Sequence, residues 1–158
     1  MLTPAPPILE TDFYLQHGQL LCDSYRRWTG KSLLDTEATS EERIEYLFHA
    51  PYALLSHGTE ADPIFNFGSL VALQLFELDW AAFTRLPSRK SAEPMNRDER
   101  ARLLERVTRY GYIDDYEGIR ISATGQRFVI QQATVWNLVD AHGVYRGQAA
   151  LFDHWQPL

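Results

Sequence analysis

The sequence predicts an α+β fold, a central antiparallel sheet with helices packed on it and further helices toward the N-terminus. Three observations predict it. Helical spacing fills the first part of the chain, and period-two alternation appears in two short runs after Pro51. From Gly111 onward nearly every run reads as strand. Such alternating patterns are buried economically when helices lie on one face of the sheet.

A length of 158 residues suits one hydrophobic core. We divide it into a flexible N-terminus over residues 1–11, where Pro4, Pro6 and Pro7 make a poor helix, and a single domain over residues 12–158. Order begins in FYLQHGQLLCDSYRRWTGKSLL, where Leu20, Leu21, Ser24 and Trp28 recur at helical spacing and Gly30 offers a stop. Thr39 and Glu42 form a capping-box pair for a second helix, with Ile44, Leu47 and Phe48 on its apolar face and Pro51 at its end.

YALLSHG then reads as a strand, ADP as a turn and IFNF as a second strand. Asp62 holds its own turn backbone and Pro63 presets one dihedral. Ser69 caps LVALQLFEL, whose apolar residues occupy more than one face. WAAF and RLPSRKSAEP are irregular around Pro87 and Pro94. Asn96 and Glu99 pair as a cap for RDERARLLERVTRY, with Leu103, Leu104, Val107 and Tyr110 on the buried stripe and Gly111 as the stop. Three strands follow in YIDDYEGIRIS, RFVIQQATVWNLVD and VYRGQAALFDHW. The second is long enough to cross a whole sheet, and Gly147, Ala149 and Ala150 in the third permit close packing.

The formal charge of -6 argues against a general phosphate-backbone binder, so nucleic acid is not an expected partner. No membrane-length apolar window or positively charged leader is evident, and cytoplasmic location is the expectation by elimination. Cys22 is the single cysteine and reads as core filling.

The five histidines show no metal-binding spacing. His57, Glu60 and Asp62 are the local candidates, but they read more naturally as a strand end and turn, so no metal is predicted. Ser56 and His57 are adjacent on a strand and point to opposite faces, which argues against a hydrolytic pair. Asp114, Asp115 and Glu117 read as a solvated loop before a strand, and no catalytic residue is assigned. Glycines are dispersed through hairpins without a phosphate-loop or dinucleotide pattern.

Four charged residues stand out. Arg89 and Glu93 flank the irregular middle, while Arg120 and Arg127 lie on either side of the ATG turn. Arginine–carboxylate pairs would lock the middle segment to the sheet, and an anionic ligand is the sharper alternative. Trp28, Trp80, Trp136 and Trp155 read as core, with a ligand cavity or a dimer seam as the other uses.

The stretches SHGTEADPIF, LPSRKSAEP, DDYEGIRIS, TGQRF, ATVWNLVD and GQAALF together resemble the bacterial MEKHLA-domain family, and residues 51–152 resemble a PAS domain. The resemblance implies a five-stranded antiparallel sheet with extra N-terminal helices. It also implies signal sensing and modulated association, by likeness to a segment of plant class III homeodomain leucine-zipper proteins. Ser69 stands where PAS-like sequences often carry asparagine. The cysteine-containing flavin motif is lacking and no histidine has a haem-ligand context, so no cofactor is predicted.

The functional expectation is a PAS-like sensory or protein-interaction domain binding a small apolar or aromatic ligand. Arg89, Glu93, Arg120, Arg127 and Trp136 are its ligand-binding or domain-locking candidates. A homodimeric structural module with a filled core is the second reading, and a small-molecule enzyme the third. Homodimerisation through the N-terminal helices is expected, with Leu21 and Trp28 as contacts; the alternative is that these side chains cover their own sheet.

Overall fold

The structure is a computed structural model that describes residues 7–34 and 37–158. Helix α1 (Asp12–Thr29) starts where the Thr11 hydroxyl accepts from the Tyr14 amide and stops at Gly30, whose φ of 74° closes the last turn. Both halves of the Thr39–Glu42 capping box are made at the start of α2 (Ser40–His49). Strands β1 (Ala53–His57) and β2 (Phe65–Gly68) form an antiparallel pair, and Ser69 caps α3 (Leu70–Phe76) by accepting from the Ala72 amide. The Ser69 hydroxyl also donates to the Tyr52 carbonyl and accepts from Leu54, which ties the helix start to β1.

The middle segment is more regular than expected. Asp79 caps a single helical turn, α4 (Trp80–Phe83), and Ser88–Ser91 form a 3-10 turn. Helix α5 (Pro94–Tyr110) begins with proline at its first position, not at an Asn96 cap, because proline lacks the donor that such a position leaves unused. Glu99 accepts from the Tyr116 hydroxyl instead.

Strands β3 (Tyr112–Ile121), β4 (Arg127–Val139), β5 (Tyr145–Phe152) and β6 (His154–Pro157) complete the sheet. Its order is β2-β1-β5-β4-β3, with β6 paired to β4. The five strands on the main path are those of the PAS expectation, and β6 continues β5 along β4 beyond Asp153. Asp114, Asp115 and Glu117 lie on β3 itself with their side chains exposed, where the pairing with β4 is irregular between Ile113 and Tyr116 and again between Tyr116 and Gly118.

Helices cover both sheet faces, not one. On the inner face, the Asn137 amide of β4 donates to the Val107 carbonyl of α5. On the outer face, Trp136 meets Tyr25 of α1 edge-on, with ring centroids 5.0 Å apart. A strand presents alternate residues to opposite sides, so a long apolar strand such as β4 requires two covers.

That cover uses the two side chains expected at a dimer contact. Leu21 has no exposed surface, and the Trp28 indole donates to the Asn137 carbonyl at 3.0 Å. Both are used within the chain, where covering the sheet requires no loss of translational freedom. Within the N-terminal stretch expected to be flexible, Leu9 is 3% exposed and packs in the core, while residues 1–6 lie outside the described residues. Among the described residues, no helix is long and apolar enough to cross a membrane.

Candidate functional site

A chamber of about 60 Å³ lies between the inner sheet face and helices α3 and α5. Its apolar wall comes from alternate positions of β1, β4 and β5, together with Phe76 and Leu103. Five polar or charged side chains, His57, Arg100, Tyr116, Arg120 and Gln148, border this otherwise apolar space. Arg100 is 9% exposed and Arg120 is 6% exposed.

Among the described residues, each guanidinium has only neutral hydrogen-bond partners. Arg100 donates to the Ser88 hydroxyl at 2.7 Å. Arg120 donates to the Ile119 carbonyl at 2.8 Å and the Tyr116 hydroxyl at 3.0 Å. Burial, with repulsion from Arg120, lowers the Arg100 pKa to about 10, which leaves it charged at neutral pH. Burial raises the Tyr116 phenol above its ordinary range, keeping it neutral.

His57 is held below the ordinary imidazole range, first by burial and then by Arg100, against hydrogen bonding at Gly58 and the neighbouring Gln148. Its Nδ1 lies 3.0 Å from the Gly58 carbonyl oxygen, an acceptor, so the ring proton sits on Nδ1. Nε2 is buried; Gln148 is its polar neighbour, but among the described residues no group meets it in hydrogen-bond geometry. Gln148 is oriented by its amide nitrogen, whose two hydrogens are shared among the Leu104 carbonyl, the Thr108 hydroxyl and the Asn137 side-chain oxygen.

Ser56 points the other way, to α1. Its hydroxyl donates to the Asn66 side chain and lies 2.9 Å from His17 Nε2. With the serine proton directed to Asn66, the imidazole donates to Ser56 and cannot serve as its base. Phe13 stacks on the His17 ring, and burial lowers the His17 pKa to about 4. This network fastens α1 to β1 and β2. A wider cleft of about 500 Å³ runs past His17, Asn66 and Asp140, but Asp140 is already paired to Arg146 at 2.9 Å.

The candidates named from sequence separate in space. Arg120 reaches the chamber, whereas Arg127 pairs with Glu93 at 2.7 Å on the outside. Arg89 pairs with Asp62 at 3.1 Å, so one charge of the irregular segment takes its partner from the β1–β2 connection and the other from the start of β4. Asp62 is therefore an ion-pair acceptor rather than the holder of its own turn; the Glu60 carboxylate accepts the Ile64 amide in that turn. Pro63 contributes its carbonyl, which accepts from Ser88 and links the turn to the 3-10 segment. Trp136 is fully buried on the opposite sheet face and does not line the chamber.

The Arg89 side chain is 46% exposed, which places its pair in the weak, solvent-screened class. Arg89→Ala is expected to lower stability by less than about 1 kcal/mol, rather than the roughly 3 kcal/mol of a buried pair. Urea unfolding of the variant beside the parent measures the difference.

Sequence reasoning passed over Arg100 because RDERARLLER reads as an ordinary charged helix face. The signal available was its place three residues before Leu103, on the same face of α5.

The sequence model of the MEKHLA domain matches residues 15–157. The chain belongs to the MEKHLA domain family. Among curated relatives, this MEKHLA domain is 25% identical over 126 residues to the homeobox-leucine zipper protein HOX29 of Oryza sativa subsp. indica, covering 78% of this chain and 15% of that protein. It is 27% identical over 122 residues to ATHB-9 of Arabidopsis thaliana, covering 74% of this chain and 14% of the relative. These relatives are plant proteins, so they support the family without its bacterial branch.

Solved structures agree on the fold. A PAS domain from Colwellia psychrerythraea superposes with a TM-score of 0.62 at 10% identity, over 75% of this chain and 95% of that one. The light-state dimer of the fungal blue-light photoreceptor Vivid matches with a TM-score of 0.56 at 16% identity, over 93% of this chain and 95% of that one. A light-oxygen-voltage domain studied with a flavin analogue gives a TM-score of 0.58 at 13% identity, over 73% of this chain and 83% of that one.

The MEKHLA chamber does not fit a flavin. Pockets for ligands of that class occupy about 300 Å³ or more, against about 60 Å³ here. Cys22 stands on α1 outside the chamber lining, and burial pushes its thiol up to about 12.

Proposed function

We propose that this MEKHLA domain is a sensory module in which occupancy of the inner chamber by a small molecule alters the packing of α5 and the sheet, and through them its association with a partner. The observation that carries this reading is the chamber itself: buried polar groups converge on a space between sheet and helices within a PAS-type fold. Polar groups withdrawn from water are normally satisfied, and among the described residues none meets His57 Nε2 in hydrogen-bond geometry.

The apolar or aromatic ligand expected from the abundant aromatic residues would suit the apolar wall but leave the buried guanidinium groups without an anionic acceptor. The tryptophan candidate Trp136 is packed away from the chamber, whereas Arg100 and Arg120 border it. Association with a second copy remains part of the proposal, with an interface other than Leu21 and Trp28. Ile8 and Phe13, both exposed, are the apolar side chains available near the start of α1.

Native mass spectrometry of the purified chain tests both parts. A small bound mass that is lost on denaturation, accompanied by a dimer peak, is the expected result. A bare monomer across a micromolar dilution series, unchanged by added small molecules, removes the reading.

A further inference from the structure

The chamber contains two buried cationic groups that no side chain neutralises directly. Among the described residues, no carboxylate lies within ion-pair distance of Arg100 or Arg120. Glu99 reaches Arg120 only through the neutral Tyr116 hydroxyl, which donates to the carboxylate and accepts from the guanidinium. Asp62, whose charge also bears on Arg100, is already engaged with Arg89. Buried charges left without counter-charge are costly, and an anion supplied from outside would relieve both at once.

His57 adds a requirement of opposite polarity. Because Nδ1 holds the ring proton toward Gly58, Nε2 presents a lone pair and calls for a donor. A ligand that satisfies the lining thus carries a carboxylate for the arginines and a hydroxyl for the imidazole. Size narrows the class further: a volume of about 60 Å³ corresponds to about four waters at roughly 15 Å³ each.

We infer that the chamber is a site for a small hydroxycarboxylate, with Arg100 and Arg120 binding its carboxylate and His57 Nε2 accepting from its hydroxyl. The inference rests on the chamber being a ligand site, as proposed above. Guanidinium groups suit a planar carboxylate because their donors form a fixed fork, and the tautomer of His57 sets the preference for a neighbouring hydroxyl. The apolar wall of Leu55, Phe76, Ile130 and Val135 excludes water and sharpens both contacts.

Thermal unfolding of the full chain at neutral pH and constant ionic strength, titrated with glycolate, acetate and glycolamide, tests this. Glycolate is expected to raise the midpoint saturably, acetate to do so less, and the neutral glycolamide not at all. Arg120→Met and Arg100→Met are each expected to weaken glycolate binding roughly tenfold or more, and His57→Phe to erase the preference for glycolate over acetate. Should either arginine variant fail to fold, the three-ligand comparison on the parent chain decides the matter. Glycolamide binding as well as glycolate would overturn the anion assignment while leaving a ligand site. A shift that grows linearly without saturation would overturn it as a general salt effect. The proposed sensory reading fails separately, if native mass spectrometry finds neither a retained small molecule nor one taken up.

Discussion

Gly147→Ala is expected to destabilise the domain by about 4 kcal/mol or more, enough to threaten folding of a chain this size. Gly147 sits on β5 with φ of 129°, a conformation that residues with a Cβ rarely adopt. A Cβ placed there would lie 2.0 Å from the His57 carbonyl oxygen, a backbone atom of the neighbouring strand. The clash therefore cannot be relieved by turning a side chain. β5 would have to move away from β1, breaking the register that places Gln148 opposite His57. Gly143→Ala is the control, because its φ of 78° is also left-handed but its added Cβ meets nothing within 4 Å. It should lose only about 1–2 kcal/mol. Chemical denaturation of both variants measures the contrast, and equal losses would show that β5 has room the geometry denies it.

Acidification is expected to remove about 3 kcal/mol of stability through His17 alone between neutral pH and pH 4. Burial lowers the folded-state pKa of this imidazole from 6.5 to about 4. Between those values the unfolded chain takes up a proton that the native state refuses, so stability is full above the unfolded value and falls as pH drops. His57 is lowered in the same direction and adds to the loss. Carboxylates stabilised in the native state, Glu77 by Ser122 and Thr124 and Asp140 first by the Val144 amide, add to it at lower pH. His17→Gln retains a donor toward Ser56 without titrating. Its unfolding free energy should fall less than the parent's from pH 7 to pH 4, and parallel pH profiles would remove His17 as a contributor.

Much of the fold was legible from local chemistry. A capping box needs residues three apart, and the Thr39–Glu42 pair is formed in full. The stops at Gly30 and Gly111 follow from positive φ, which glycine adopts without penalty. The α5 start was misread because Pro94 and Asn96 both offer plausible first turns, and the choice depends on where the preceding 3-10 turn delivers the chain. The partners of Arg89 and Glu93 were not legible at all. Asp62 and Arg127 lie 27 and 34 residues away, and only the folded backbone brings them within reach.

The sequence by itself determined the kinds of element, their order and most of their ends, because propensity, capping and alternation act over a few neighbouring residues. It also carried the family, through motifs spread along residues 15–157. Only the tertiary structure decided that α1 covers the outer sheet face, that Trp136 lies on that side, and that His57, Arg100 and Arg120 converge on one inner chamber. Strand register selects which alternate residues face inward, while the seating of α5 selects which helical arginine loses its water. Those are long-range choices, fixed when separate segments pack together.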